Sequence, residues 1–154
     1  MTDPRTADRA GVMTAPYVLE YTYRRSTGPT VGRFLTGLRE ERIEGSRTSD
    51  GRVVVPPTEF DVDGAETERF ATVANEGVVT TWAWVERPRA NHPLARPFAF
   101  ALVRLDGADT AMLHAVDAGA IENMRTGMRV RARFRAERVG HILDVACFEP
   151  VVGA

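Results

Sequence analysis

The sequence contains no lysine, and all 20 of its basic residues are arginines. The absence of lysine excludes Schiff-base chemistry on a lysine amine, and it excludes a P-loop, whose lysine contacts nucleotide phosphates. Arginine still offers a fork of N–H donors that suits carboxylates and phosphates. A codon bias of the genome would produce the same pattern, so the arginine content alone does not indicate a ligand.

Cysteine is almost absent, since Cys147 is the single one in the chain. One cysteine excludes an intrachain disulfide and a zinc site built from cysteines. No apolar run approaches the ~18 residues of a membrane-spanning helix, and Met1–Thr14 lacks the apolar core of a signal peptide. We therefore expect a cytoplasmic protein that makes no contact with a membrane.

A surplus of positive charge is also absent. The 154 residues carry a formal net charge of −1 and give a pI of about 6.3. Proteins that hold nucleic acid mainly through its phosphates usually have a basic surplus, so this balance argues against that class. The length and a hydrophobic content of 44% fit one globular domain with at most a small appendage.

Three regions follow one another along the chain. Residues 1–16 are small and polar, which predicts a disordered tail. Residues 17–64 combine a strand-like alternation over Val18–Tyr23, a helix over Pro29–Ile43, short strands at Glu44–Thr48 and Arg52–Val55, and two turn signals. Residues 65–154 begin with a connecting segment, Ala65–Ala74, and continue as a β-rich region.

The β-rich region predicts five strands with one helical turn between the third and the fourth. The predicted strands are Gly77–Glu86, Phe98–Leu105, Thr110–Val116, Met128–Glu137 and Ile142–Phe148, and the helical turn is Gly119–Met124. This order of elements is typical of an OB-fold barrel. The predicted fold class is mainly β: a five-stranded OB-fold barrel with an N-terminal helix and a degenerate, metal-free segment laid out like a zinc ribbon.

Four short motifs occur in a characteristic order. They are Gly77-Val78-Val79 in the first barrel strand, Pro97-Phe98-Ala99-Phe100 at the second, the turn Leu105-Asp106-Gly107, and Gly127-Met128-Arg129-Val130 at the fourth. In this order the chain resembles the acyl-CoA-associated OB-fold family, a former domain of unknown function that pairs a rubredoxin-like zinc ribbon with a C-terminal OB barrel. The order and spacing of the motifs carry the resemblance, rather than any one of them.

The resemblance also implies where zinc ligands would lie. In the family a Cys-x-x-Cys-Gly turn precedes a Pro-Pro pair and a second pair of cysteines, and the corresponding positions here are Arg47, Asp50, Asp61 and Gly64. An arginine and a glycine cannot help to complete a tetrahedral zinc site. We therefore expect no zinc and no other cofactor in this chain, with an ion pair of Arg47 to Asp50 or to Asp61 holding the segment instead.

The resemblance implies the role of an accessory subunit. Members of the family accompany thiolase-like enzymes, including retro-aldolases of steroid side-chain breakdown, and also hot-dog-fold enoyl-CoA hydratases. The expected function is to bind a thiolase-like aldolase or thiolase, or a hydratase, and to help form its acyl-CoA channel. Acyl-CoA is then the substrate of the complex, a lyase in the aldolase case. No catalytic residue is assigned to the chain itself.

Two groups of residues are candidates for contacts in such a complex. The loop after the first barrel strand is predicted to contact coenzyme A or line the channel, through Arg87, Arg89, His92 and Arg96. The partner interface is predicted at Tyr21, Tyr23, Phe34, Leu38, Trp82 and Trp84. Solvation is the alternative for the loop, and core packing is the alternative for the tryptophans. Alternation along the first predicted barrel strand places both tryptophans on one face and Val79 on the other. His114, His141 and Cys147 are isolated from one another in sequence, and we expect structural roles for them.

The alternative function is that of an OB-fold module for single-stranded nucleic acid. Four arginines alternate along the fourth predicted strand, at Arg129, Arg131, Arg133 and Arg135. OB barrels that hold single strands combine such a groove with stacking aromatics, and Trp82 and Trp84 are the candidates. The balanced charge and the lack of aromatics between these arginines favour the other interpretation, a solvated face that could dock on an acidic partner.

Overall fold

A computed structural model describes residues 15–24 and 26–151 of the chain. The predicted tail, residues 1–16, lies outside the described residues except for its last two. In the described part, no helix has the length and apolar character to cross a membrane. The elements, in chain order, are α1 (Gly28–Arg39), β1 (Ile43–Arg47), β2 (Val53–Val54), β3 (Phe70–Val73), β4 (Glu76–Val85), β5 (Phe98–Leu105), β6 (Met112–Val116), β7 (Arg129–Phe134) and β8 (Val145–Pro150), with 3-10 turns at Ile121–Asn123 and Ile142–Asp144.

The five strands of the C-terminal region close into a barrel in the order β4-β5-β6-β8-β7. Neighbouring strands are antiparallel except for β6 and β8, which run parallel at Val116 and Phe148. The ring closes where β4 pairs with β7. The predicted five-stranded OB-fold barrel is therefore confirmed, including a helical turn between the third and the fourth barrel strands.

A β-bulge between Val79 and Thr81 changes which residues of β4 face the core. The sequence placed Trp82 and Trp84 on the face opposite Val79, because strict alternation separates even from odd positions. The extra residue of the bulge shifts this alternation. As a result Val79 is buried, and both tryptophans pack against the same core while remaining partly exposed.

A second, three-stranded sheet in the order β2-β1-β3 precedes the barrel. β1 pairs antiparallel with both neighbours. The sequence predicted strands at Glu44–Thr48 and Arg52–Val55, but it treated Ala65–Ala74 as a connection and missed β3. The two turns of the ribbon-like segment follow β1 and precede β3 along the chain.

Helix α1 covers the small sheet with one apolar face. Pro29 lies in its first turn, where a missing N–H has no cost. The helix ends at Arg39, earlier than predicted, and the residue predicted as its last, Ile43, is the first residue of β1. Glu41 takes a left-handed φ of 59° between the two elements, which redirects the chain.

Residues 15–24 form no strand, although alternation over Val18–Tyr23 predicted one. Five large apolar side chains of this arm are 67–83% exposed, namely Tyr17, Val18, Leu19, Tyr21 and Tyr23. A strand needs a partner for its backbone groups, and the described part of the chain pairs no strand with this arm.

The small sheet and the barrel share one hydrophobic core. Phe34 and Ile43 belong to the same buried cluster as Val79 and Phe148. Hydrogen bonds also join the two parts, because Asp109 accepts the Val53 N–H at 2.7 Å and returns its own N–H to the Val53 carbonyl at 2.8 Å. The N-terminal elements are therefore packed on the barrel as part of its fold.

Candidate functional site

The loop between β4 and β5 is held by the ring of His92. The ring meets the edges of Phe98 and Phe100, with centroid distances of 5.8 and 5.9 Å. Its Nδ1 accepts the backbone N–H of Arg89 at 3.2 Å. These contacts fix the course of the loop, so His92 is a packed residue with one nitrogen already engaged.

The three arginines of this loop differ in their surroundings. Arg96 forms an ion pair with Asp117. The hydrogen bond between them raises the pKa of Arg96 and lowers the pKa of the Asp117 carboxyl. Arg87 and Arg89 are exposed, and within residues 15–24 and 26–151 neither forms an ion pair. Two of the predicted cationic groups thus face solvent, and the third is committed to a carboxylate.

His92 forms one wall of an open cleft of about 270 Å³ on the outer face of the barrel. The floor of the cleft is apolar and comes from three other elements. The lining residues are Asn91, His92, Pro93, Phe100, Leu113, His114, Ala115, Arg135 and Leu143. We call this surface the His92 cleft. Most of its residues were missed from the sequence; the available signal was Leu113, an apolar residue on an outward position of β6.

Arg135 directly follows β7, stands at the rim of the His92 cleft and differs from the three arginines of that strand. Arg129 pairs with Asp106 at 2.6 Å, and Arg131 pairs with Glu76 at 2.5 Å. Arg133 pairs with Glu149 at 2.5 Å. Arg135 has no ion pair among the described residues, so three of the four cations are neutralised locally.

The neutralised ladder does not suit a nucleic-acid groove. Binding to phosphates requires cations that are available to replace the condensed counterions. Here the carboxylates of Asp106, Glu76 and Glu149 already occupy that position. The Asp106 hydrogen bond also raises the pKa of Arg129.

His114 lies beneath the cleft with a largely buried ring. Its Nδ1 accepts the Ala115 N–H at 2.9 Å, and the ring packs on Phe148 at 5.7 Å. Burial lowers the pKa of His114, while backbone hydrogen bonds with Ile142 and Ala115 act in the opposite direction. Because Nδ1 already accepts the Ala115 N–H and the ring also hydrogen-bonds to the backbone of Ile142, His114 offers no free nitrogen as a general base to a ligand in the cleft.

Cys147 lies near two acidic groups, with ligand atoms of Asp117, Cys147 and Glu149 within 4.8 Å of one another. Both carboxylates are paired with arginines, and Arg133 also donates to the Cys147 sulfur at 3.1 Å. Burial raises the pKa of the Cys147 thiol. Guanidinium groups occupy the places that a cation would take, so this cluster is a partly exposed ion-pair network beside a buried thiol rather than a metal site.

The residues predicted for a partner interface fall into three groups. Phe34 and Leu38 are only 4% and 0% exposed, because α1 turns them into the chain's own core. This corrects their predicted placement on a surface. Trp82 and Trp84 are partly exposed, and the Trp84 indole N–H donates to Glu86 at 2.8 Å. Tyr21 and Tyr23 are exposed on the arm.

The ribbon-like segment keeps its two turns without the predicted ion pairs. In the described part of the chain, Arg47 pairs with neither Asp50 nor Asp61, and donates instead to the Gly51 carbonyl at 3.3 Å. Asp50 pairs with Arg52 at 2.9 Å. The four predicted ligand positions are therefore Arg47, which is hydrogen-bonded to Gly51, Asp50, which is paired with Arg52, and the unlike residues Asp61 and Gly64. This set does not fit zinc, which needs four lone-pair donors in a tetrahedron.

The fold defines an OB-fold protein with an N-terminal helix-and-sheet extension, and the His92 cleft lies on its barrel. In sequence, residues 71–135, from β3 to the end of β7, match the family described as ChsH2, C-terminal OB-fold domain. No curated protein matches the chain.

Two solved structures have the same fold. A DUF35-family protein of unknown function from Sulfolobus solfataricus matches with a TM-score of 0.56 and 23% identity, over 69% of this chain and 77% of that one. The Ltp2-ChsH2(DUF35) aldolase matches with a TM-score of 0.62 and 17% identity, over 82% of this chain and 98% of that one. The two structures show the same fold, and the family match over residues 71–135 agrees with the predicted resemblance for the barrel.

Proposed function

We propose that this chain is a non-catalytic accessory subunit that binds a thiolase-like aldolase and helps to form its acyl-CoA channel. The observation that carries the proposal is the His92 cleft, an apolar surface with a cation at its rim and no nucleophile or available base. Such a surface can position a substrate for a partner's chemistry, and positioning alone contributes substantially to rate. The likeness to the ChsH2 part of an aldolase supports the choice of partner.

The finer identity of the complex follows from the family resemblance. An aldolase of steroid side-chain degradation is the partner we propose, and the alternatives are a thiolase or an enoyl-CoA hydratase. In each case the substrate is an acyl-CoA thioester. The chain itself requires no cofactor in this proposal.

The acyl-CoA contacts are assigned to the His92 cleft and the loop beside it. Apolar residues such as Phe100 and Leu113 suit the uncharged part of the substrate. Arg87, Arg89 and Arg135 are the cations without a described ion pair near this surface, and their guanidinium forks suit phosphate oxygens. His92 shapes the wall, whereas Arg96 acts through its ion pair with Asp117 by fixing the base of the loop.

The partner contacts are assigned to the exposed arm. Tyr21 and Tyr23 present large amphipathic side chains that the chain itself does not bury. Tyrosine and tryptophan are favoured at the energetic centres of interfaces. The exposed parts of Trp82 and Trp84 are a second, smaller contact in this proposal.

The experiment is co-expression with the thiolase-like proteins of the same organism, followed by an assay of retro-aldol cleavage of a β-hydroxyacyl-CoA. We expect cleavage by a purified complex and none by this chain alone. Turnover by the isolated chain at a rate near that of the complex would refute the accessory role. Failure of every thiolase-like protein to form a complex would refute the choice of partner.

A variant pair tests the cleft within that complex. Leu113→Glu places a charge on the apolar floor, and we expect KM for the acyl-CoA to rise about tenfold or more, since a bound substrate would cover the exposed carboxylate and leave it without a partner. Leu102→Glu is the matched control, because Leu102 pairs with Leu113 across β5 and β6 and is also exposed, but lies outside the cleft. Equal effects of the two variants on KM would contradict the assignment.

A further inference from the structure

The two turns of the ribbon-like segment have the same backbone hydrogen bonds. In the first, the Gly51 N–H donates to the Thr48 carbonyl at 3.0 Å, and in the second the Gly64 N–H donates to the Asp61 carbonyl at 3.0 Å. The first residue of each turn donates its N–H to the residue after the glycine, at 2.9 Å for Thr48 and 2.8 Å for Asp61. Both glycines have positive φ, 88° and 83°.

The side chain before each glycine repeats the same contact as well. Asp50 Oδ1 accepts the N–H of Arg52 at 3.4 Å, and Asp63 Oδ1 accepts the N–H of Ala65 at 3.0 Å. The two loops are therefore equivalent residue by residue. Asp63 corresponds to Asp50, and Phe60 corresponds to Arg47, the residue before the first turn.

This equivalence shifts the second pair of zinc-ligand positions that the family motif implies by one residue along the chain. The spacing of the family motif places that pair at Asp61 and Gly64. The duplicated turn places it at Phe60 and Asp63, with Gly64 in the role of Gly51. Asp61 is then the first residue of its turn, and its side chain is available for another contact.

Asp61 uses its side chain to join the two turns. Its Oδ2 accepts the N–H of Ser49, in the middle of the first turn, at 2.7 Å. We infer that the two turns are a duplicated knuckle whose four side-chain positions are Arg47, Asp50, Phe60 and Asp63, and that the Asp61 carboxylate cross-links the turns in the absence of a metal ligand set. A charged acceptor makes a stronger hydrogen bond than a neutral one, which suits it to this task.

The first experiment introduces four cysteines at each of the two alternative sets of ligand positions. We expect the variant R47C/D50C/F60C/D63C to bind one Co²⁺ with the visible absorption bands of a tetrahedral thiolate site, and to unfold at a higher temperature with Zn²⁺ than with a chelator. The matched control R47C/D50C/D61C/G64C shifts the second pair by one residue, and we expect no tetrahedral spectrum. Tetrahedral binding by the control alone, or by neither variant when both fold, overturns the duplicated frame.

The second experiment tests the cross-link without new cysteines. Asp61→Ala removes the acceptor of the Ser49 N–H, and we expect hydrogen exchange of that amide to accelerate about tenfold or more. Asp63→Ala is the control, because Asp63 bonds only within its own turn among the described contacts. Unchanged exchange of the Ser49 amide in Asp61→Ala overturns the cross-link, as does equal acceleration in both variants. Neither experiment involves the partner enzyme.

Discussion

His114 illustrates how surroundings decide the role of a single side chain. It lies between the ring of Phe148 and the Ala115 amide, and burial lowers its pKa. Folding therefore favours the neutral imidazole. The structure agrees with the structural role that an isolated histidine on a strand predicts.

The stability of the chain should fall on acidification partly through His114. Because its folded pKa is depressed, its contribution is full above the unfolded value of about 6.5 and is lost as the pH falls through the lower folded value. We expect His114→Gln to flatten the dependence of the melting temperature on pH between about pH 7.5 and about pH 5. His92→Gln is the control. An unchanged slope in His114→Gln would contradict the prediction.

The arginines of β7 show what residue patterns can and cannot predict. Their outward alternation follows from the two-residue period of a strand, and the structure has it. Their partners could not be predicted, because Glu76 and Asp106 lie on other parts of the barrel. Only the closed topology brings those carboxylates beside β7. The same limit applied to the His92 cleft, which five separate segments assemble.

At the scale of elements, Arg33 joins helix α1 to the small sheet. Its guanidinium makes two hydrogen bonds to Glu44, at 2.9 and 3.1 Å, and lies over the ring of Phe70 at 4.4 Å. The Arg33 hydrogen bond lowers the pKa of the Glu44 carboxyl. The stabilisation is therefore present above the ordinary pKa of that carboxyl and is lost as the pH falls through the lowered value.

Removing Glu44 should weaken the docking of α1. The Glu44 side chain is buried although Arg33 is about half exposed, so we expect Glu44→Ala to lower the free energy of unfolding by about 2 kcal/mol, a value for hydrogen bonds to charged groups. A double-mutant cycle with Arg33→Met measures the coupling by denaturant unfolding. Additive effects of the two substitutions would show that the pair contributes nothing.

The two glycines inside α1 should respond in opposite directions to alanine. A Cβ at Gly32 would meet only the Thr27 hydroxyl at 3.2 Å, whereas at Gly37 it would lie 2.8 Å from the Arg42 carbonyl. We expect Gly32→Ala to stabilise the chain by about 0.5–1 kcal/mol through helix propensity. Gly37→Ala should destabilise it by about 1–3 kcal/mol through overpacking. Denaturant midpoints check both, and stabilisation by Gly37→Ala would contradict the packing.

Elements with a clear period were predictable from the sequence, and those that depend on a neighbour were not. Both ends of β5 were predicted correctly because its apolar run lies between Pro97 and the turn after Leu105. β3 was missed because it is four residues long and forms only by pairing with β1. The bulge in β4 also depends on pairing, so the faces of Trp82 and Trp84 could not be assigned from alternation.

At the scale of the whole molecule, the extension and the barrel are one folded unit. The shared core and the reciprocal bonds of Asp109 with Val53 connect them. The Thr110 hydroxyl makes a similar pair of bonds with Val55. It accepts the Val55 N–H and donates to the Val55 carbonyl. The arm at residues 15–24 is different, because its large apolar side chains remain 67–83% exposed.

Because the arm is exposed and the rest of the fold is packed, substitutions in the arm should change partner binding without changing the melting temperature. Since Tyr21 and Tyr23 are exposed, replacing both with serine should leave the melting temperature within about 2 °C of the parent, as surface substitutions usually do. If the arm is the partner contact, the same change removes two aromatic anchors, and affinity for the thiolase-like subunit should fall about thirtyfold or more. Isothermal titration of the purified subunits measures it.

The control for this prediction is Val139→Ser, which removes an equally exposed apolar side chain far from the arm in sequence. It should change neither stability nor affinity. A double-serine variant that binds as tightly as the parent would place the interface elsewhere, with the exposed parts of Trp82 and Trp84 the next surface to test. A variant that instead loses stability would show that the arm packs on its own chain, because exposed side chains without contacts cannot stabilise a fold.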